Sequence, residues 1–120
     1  MKNENIENVN TGNVTVSGEV IATVVRDAVM QIEGVEKIYG SEEVTKFGFL
    51  KLKTQNENGG IKVTVKNSNE AFVEIPVVLS YGSNVIEVSK SIQESAVEAI
   101  ESHIGMKAGD IDVIVERISE

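Results

Sequence analysis

Three glutamates on one predicted helix form the carboxylate cluster whose spacing invites a chemical role. Glu94, Glu98 and Glu101 are spaced i, i+4 and i+7, which places them on one flank of a helix. Such a flank is a candidate for cation binding or for acid–base pairing. However, no His or Asp completes a cation cage beside them, and water is the better ligand for exposed carboxylates. The pattern therefore favours a solvated acidic helix surface.

The single histidine, His103, falls in the last turn of the same predicted helix. A cation at this position interacts favourably with the carbonyl end of the helix. A lone imidazole without a Ser, a Cys or a second ligand has nothing to activate. Cysteine is absent from the sequence, which removes thiolate nucleophiles, disulfides and Cys-based metal sites. We therefore predict no catalytic residue, no metal, no cofactor and no enzymatic activity.

Residues 81–84 precede a predicted helix, and a helix N-terminus is able to bind a phosphate or a carboxylate. The sequence contains neither G-x-G-x-x-G nor G-x-x-x-x-G-K-[ST], the motifs that support nucleotide binding. An ordinary strand-to-helix cap is the favoured interpretation.

Charge is unevenly distributed along the chain. Residues 46–66 carry lysines against a single acid, Glu57, whereas residues 70–120 are predominantly acidic. The candidate interaction surface comprises Lys51, Lys53, Lys62, Lys66, Phe72, Val78, Glu94, Glu98 and Glu101. A basic hairpin and an acidic helix on one domain are able to meet head to tail in neighbouring copies, or the hairpin contacts an anionic partner. The alternative is that lysines on an edge strand only prevent aggregation between sheets.

Length and composition limit the class of protein. A chain of 120 residues fits one domain, and a hydrophobic fraction of 41% with a charged fraction of 25% is typical of globular proteins. Lys and Arg number 11 against 19 Asp and Glu, giving a net charge of -8. Because this charge repels a phosphate backbone, we predict no DNA binding and disfavour RNA.

The N-terminal residues lack the apolar core of a secretory signal. No run approaches the roughly 18 apolar residues that cross a bilayer. We expect a cytoplasmic protein without direct membrane insertion, which reaches the membrane only through a partner.

The predicted organisation is a mobile tail, residues 1–13, followed by one domain, residues 14–120. A short strand at residues 14–16 precedes helix one, which Ser17 caps and Gly34 ends. Asn84 caps helix two, which runs to about Ile104 before Gly105.

The strands follow from alternation of apolar and polar residues. We predict a short strand at residues 35–39, a loop at 40–48, a strand or arm at 47–54, a hairpin from 61 to 81, and a last strand beginning at Ile111. Tyr81 is placed on the core face of the second hairpin strand. Pro76 requires an edge, a bulge or a nitrogen that points away from a partner strand. The fold class is α+β, with two amphipathic helices packed on one face of a mostly antiparallel sheet.

The second face of this sheet carries Phe72, Val78 and Ile114 on positions of opposite parity to the core. If that face is apolar, it forms an exposed patch for oligomerisation. Replacing Phe72 by Ser then shifts the oligomeric state with little effect on the melting temperature. A large drop in melting temperature without a shift indicates a core role instead.

Several segments together resemble the bacterial alkaline-shock, or envelope-stress-response, protein family. They are GEVIATVVRDAVMQIEG at residues 18–34 and VEIPVVLSYGSNVIEVSKSIQESAVEAIESHIGMKAGDIDVIVERI within residues 60–118. The matching features are Glu33-Gly34-Val35 after the first helix, Ser80-Tyr81-Gly82, Gln93 within the second helix, Gly105, and alternate valines in the last strand. Pro76 and residues 47–54 depart from the family pattern.

The resemblance implies a small, non-enzymatic, cytoplasmic bacterial protein associated with envelope and alkaline stress. It also implies self-association into a homo-oligomer and, in some members, attachment to the membrane through an anchored protein partner. The rival hypothesis is a small-ligand or RNA-binding α+β module that uses the lysine-bearing hairpin, although only Phe47 and Phe49 supply the aromatic residues that RNA stacking needs.

Overall fold

The computed structural model describes residues 12, 14–41, 44–46, 50–52 and 57–120. The predicted N-terminal tail, residues 1–13, lies outside the described residues except for Gly12. Helix α1 spans Gly18–Val29 and helix α2 spans Val85–Glu98, which Ala99–Ile104 continues as a π-helical turn. The main sheet contains β1 (Val35–Ile38), β4 (Lys62–Lys66), β5 (Glu70–Ser80) and β6 (Lys107–Ser119). Strands β2 (Val44–Lys46) and β3 (Leu50–Leu52) form a separate two-stranded sheet, and Glu57–Gly60 is a 3-10 turn.

Strand β5 is the centre of the main sheet. Strand β4 pairs antiparallel with its N-terminal half, residues 70–74, and β1 pairs antiparallel with residues 77–79. Strand β6 pairs with β5 over residues 70–80, in parallel. Strands β1 and β4 therefore follow each other along one edge of β5, and β6 occupies the other edge.

Pro76 lies where the β4 ladder has ended and the β1 ladder begins, between Glu74 and Val77. Its carbonyl accepts a hydrogen bond from the Tyr39 N–H at 2.9 Å. The N–H that proline lacks therefore falls at the junction of two ladders, where its absence interrupts little pairing.

The two helices cover one face of this sheet, which confirms the predicted α+β class. Helix α1 contacts β4, and α2 contacts β6. The helix-facing residues of β5 are fully buried or nearly so: Ala71, Val73, Ile75, Val77 and Leu79. They pack with the buried residues of the helices, which include Ile21, Val25, Ile92 and Ile100. Burial of each large aliphatic side chain contributes about 1.5–3 kcal/mol, so this layer supplies most of the stabilisation.

Both predicted N-caps are confirmed. The Ser17 hydroxyl accepts a hydrogen bond from the Val20 N–H at 3.2 Å, and the Asn84 side-chain oxygen accepts one from the Glu87 N–H at 3.0 Å. Gly105 ends the second helix in the left-handed conformation, at φ 87°.

Several predicted boundaries are wrong. Residues 14–16 form no strand, and Val14 is 94% exposed. Helix α1 ends at Val29 because the next amides bond three residues back, from Gln31 to Ala28 and from Ile32 to Val29, which tightens the chain into turns.

The remaining corrections concern strands. The predicted loop at residues 40–48 contains β2, and the last strand begins at Lys107 instead of Ile111. Tyr81 leaves the core face and is 76% exposed, because β5 ends at Ser80 and the chain turns.

Candidate interaction surfaces

The face of the main sheet that the helices leave uncovered is one candidate surface. We call it the open face and define it by residues that alternate with the core positions: Lys62 and Lys66 of β4, Phe72, Pro76 and Val78 of β5, and Ile114 and Arg117 of β6. Phe72, Pro76 and Ile114 are half-buried, whereas Lys62, Lys66 and Arg117 are exposed. The open face therefore has a narrow apolar centre with a charged margin.

Phe72 is held within the open face by its neighbours. The Lys66 ammonium lies 4.4 Å from the centroid of the Phe72 ring. On the next strand, a Cβ placed on Gly109 would lie 2.6 Å from the Phe72 Cε2 atom. The ring therefore lies against the β6 backbone, and only glycine at position 109 leaves room for it.

Val78 does not belong to an exposed patch. It is 1% exposed, although its position in the strand places it on the open face as predicted. Lys37 of β1 and Arg117 of β6 are its register partners on either side, so long side chains flank it. The prediction that Val78 contributes to an interaction surface is wrong for this reason.

The predicted lysine-bearing hairpin is divided between two sheets. Lys62 and Lys66 lie on β4 of the main sheet, whereas Lys51 lies on β3 of the two-stranded sheet. Lys53 lies outside the described residues. Lys62 is opposite Glu74 in the β4–β5 register, and a cross-strand pair of opposite charge favours that register.

A groove of about 690 Å³ between α2 and β6 is the second candidate surface. Its lining includes Val97 and Ile111, and five carboxylates line it from both elements: Glu94, Glu98, Glu101, Asp110 and Asp112. All five are exposed residues, whereas Ile111 is 7% exposed. We call this the acidic groove. The structure thus brings together the three predicted helix glutamates and adds two aspartates from the strand.

Two hydrogen bonds fix the geometry of the acidic groove. The Gln93 side-chain Nε2 donates to the Ile111 backbone carbonyl at 2.9 Å. The Glu101 carboxylate accepts a hydrogen bond from the Ala108 N–H at 3.3 Å. Sequence reasoning gave no role to Gln93, Asp110 or Asp112, because the signal that unites them is the parallel position of β6 beside α2.

His103 lies in the last helical turn, as predicted, and it lines a shallow groove between the two helices with Asp27 and Glu98. Among the described residues, no cluster of three or more His, Asp or Glu side chains is arranged to hold a metal ion. In that same part of the chain, no helix combines the length and the apolar character needed to cross a membrane.

Comparison with known sequences identifies related proteins. The model of the alkaline-shock protein family, described as having a cell envelope-related function, matches residues 6–120. The uncharacterized protein Spy1614 of Streptococcus pyogenes serotype M6 is 36% identical over 112 residues, which cover 92% of this chain and 91% of that protein. The uncharacterized protein YloU of Bacillus subtilis is 22% identical over 108 residues, covering 89% and 88% of the two chains.

Solved structures of the MamM CTD share the fold. A nickel form of one variant has a TM-score of 0.56 at 9% identity and covers 82% of this chain and 96% of that chain. A copper form of another variant has a TM-score of 0.57 at 10% identity, with coverages of 84% and 98%. At such low identity, the likeness extends to the fold alone.

Proposed function

Because this chain belongs to the alkaline-shock protein family, whose function is cell envelope-related, we propose that it is a non-enzymatic interaction protein of the envelope and alkaline stress response. It associates with copies of itself and binds a membrane-anchored partner protein. It acts on the cytoplasmic side, peripheral to the membrane through that partner.

The observation that carries this proposal is the separation of charge across the main sheet. The lysine-bearing elements, β4 and the β2–β3 sheet, belong to the β1–β4 side of the central strand. The acidic groove lies at the opposite edge, between β6 and α2. Two surfaces of opposite charge at opposite edges are complementary between neighbouring copies and cannot neutralise each other within one copy.

Sedimentation velocity tests self-association. The full chain is measured over a concentration series at low salt and at about 0.5 M NaCl, where the Debye length falls to a few ångströms. We expect the mean particle size to rise with concentration at low salt and to fall when salt is added. A monomer at every concentration overturns self-association, and a large particle that is indifferent to salt overturns its electrostatic origin.

The partner is tested by separating protein from lipid. The tagged chain is mixed with membrane vesicles from the source cell, with the same vesicles after protease treatment, and with protein-free vesicles of the extracted lipid. We expect the chain to sediment with the untreated vesicles only. Binding to the protein-free lipid to the same extent overturns the requirement for a protein anchor.

A further inference from the structure

Two β-surfaces of this molecule are incomplete among the described residues. Strands β2 and β3 pair only with each other, over three residues each. Strand β6 pairs only with β5, so its other edge has no partner strand. A two-stranded sheet is marginal on its own, and an unpaired edge is a template for another strand. Each surface lacks what the other supplies.

The free edge of β6 is regular at the acidic groove. Register irregularities with β5 fall opposite the steps from Ala71 to Val73 and from Val77 to Val78, and the stretch from Ile111 to Val115 between them pairs without interruption. Along this stretch, Ile111 and Val97 contribute apolar surface to the groove. A strand added here finds a straight backbone edge and an apolar contact.

Charge selects which strand is added. The groove is lined by carboxylates of α2 and β6, so a second acidic strand, including β6 of another copy, is repelled. Residues 44–54, VTKFGFLKLKT, carry Lys46, Lys51 and Lys53 and no acid. Residues 50–53 alternate Leu and Lys, which gives an extended strand one apolar and one basic side. This composition complements the groove.

The topology directs the contact to a second copy. The β2–β3 sheet lies in the chain between β1 and β4, and both of these strands are on the edge of β5 opposite to β6. To reach its own acidic groove, the β2–β3 sheet would have to pass the full width of the main sheet. In a neighbouring copy, the same contact is a simple translation.

From these observations we infer that the β2–β3 sheet of one copy docks as an added strand on the free edge of β6, in the acidic groove of the next copy. The inference rests on the proposed self-association and names its interface. Because the two contacting surfaces differ and lie at opposite edges, the contact is heterologous and generates an open chain of copies.

Two full-length variants test this interface. The first reverses the groove with Glu94→Lys and Asp110→Lys, which are exposed and lie on its two walls. It retains Glu101, whose carboxylate binds the Ala108 N–H. The second reverses the docking sheet with Lys46→Glu and Lys51→Glu. A control with the first variant's change of charge carries Asp27→Lys and Glu33→Lys, exposed acids outside the acidic groove.

The expected result is specific to a head-to-tail contact. Each interface variant alone sediments as a monomer, because one half of its contact is repulsive, and its association is weaker by about tenfold or more. The reversed groove still leaves a normal docking sheet, and the reversed sheet leaves a normal groove. An equimolar mixture therefore forms a 1:1 dimer, whereas the control associates like the unmodified chain. Thermal melts confirm that all chains are folded.

Other outcomes are distinguishable. If both interface variants still associate like the unmodified chain, the assigned interface is wrong while self-association stands. If the unmodified chain is itself monomeric, both proposals are overturned. If the variants are monomeric and their mixture also remains monomeric, the two surfaces do not contact each other, and the inference is overturned.

Discussion

The side-chain amide of Gln93 donates a hydrogen bond to the backbone carbonyl of Ile111, with 2.9 Å between Nε2 and the carbonyl oxygen. Gln93 belongs to α2, and Ile111 is a buried residue of β6, the strand that follows the helix. The bond satisfies a carbonyl of a strand that has no described partner strand on its second edge. It also fixes the distance between the two walls of the acidic groove.

Replacing Gln93 by Ala is expected to lower the free energy of unfolding by about 1 kcal/mol, because a partly buried carbonyl loses its donor. Gln93→Glu is expected to cost at least as much, since a carboxylate has no proton to donate. Urea unfolding measures both, and Ser91→Ala on an exposed position of the same helix is the control. A Gln93→Ala chain that unfolds at the same urea concentration as the unmodified protein contradicts this role.

Gly60 and Gly82 offer a matched pair, since their φ angles are 96° and 93°. A Cβ at Gly82 meets no atom within 4 Å, whereas one at Gly60 collides with the backbone carbonyl oxygen of Tyr39. Gly82→Ala is therefore expected to cost only the left-handed conformation, about 1–2 kcal/mol. Gly60→Ala adds a backbone clash and is expected to cost about 1–3 kcal/mol more.

Thermal or urea unfolding of the two glycine variants gives the comparison. Equal destabilisation would show that the approach of Gly60 to Tyr39 relaxes without cost. In that case the position of the chain between the 3-10 turn and β1 is not fixed by glycine.

The open face gives a third prediction, which concerns Phe72 and Gly109. Gly109→Ala places a methyl group within 2.6 Å of the ring and is expected to destabilise the protein by about 1–3 kcal/mol. In a Phe72→Ala background the space is already free, so the same change is expected to cost much less. A double-mutant cycle by urea unfolding measures this coupling, and additive effects would contradict the contact.

Phe72→Ser belongs to the same argument. Because the ring lies against Gly109 and beneath Lys66 within one chain, we expect a lower melting temperature and an unchanged particle size. A change in particle size with an unchanged melting temperature would instead place Phe72 in an interface between copies.

The sequence predicts the helices and the β4–β5 hairpin because their signals are local. Ser17 and Asn84 bond amides three residues ahead, and Gly105 adopts a left-handed conformation that glycine tolerates. Alternation in β5 is a property of a single strand, so Ala71, Val73, Ile75, Val77 and Leu79 are recognisable as core from their order alone.

What the sequence does not predict depends on which strands are neighbours. The parallel pairing of β6 with β5 determines that Asp110 and Asp112 lie beside the glutamates of α2. Parity correctly placed Val78 on the second face, but its burial depends on the flanking strands that carry Lys37 and Arg117. Likewise, no local pattern separates Lys51 from Lys62 and Lys66, which the topology assigns to different sheets.

That division of the lysines leads to a final prediction about assembly. Lys66 already lies 4.4 Å from the Phe72 ring centroid, and Lys62 faces Glu74 across the β4–β5 ladder. Both charges are therefore used within the main sheet. Lys46 and Lys51 belong to the β2–β3 sheet, whose described strands pair only with each other. Neutralising the β4 pair with Lys62→Gln and Lys66→Gln is expected to leave concentration-dependent association nearly unchanged.

The same loss of charge at Lys46→Gln and Lys51→Gln is expected to weaken association and to reduce its dependence on salt, because fewer charges cross the interface. Sedimentation velocity at two salt concentrations compares the two doubly substituted chains, which carry the same net charge. If the β4 chain loses association and the β2–β3 chain keeps it, the surface that meets the acidic groove is the open face of the main sheet.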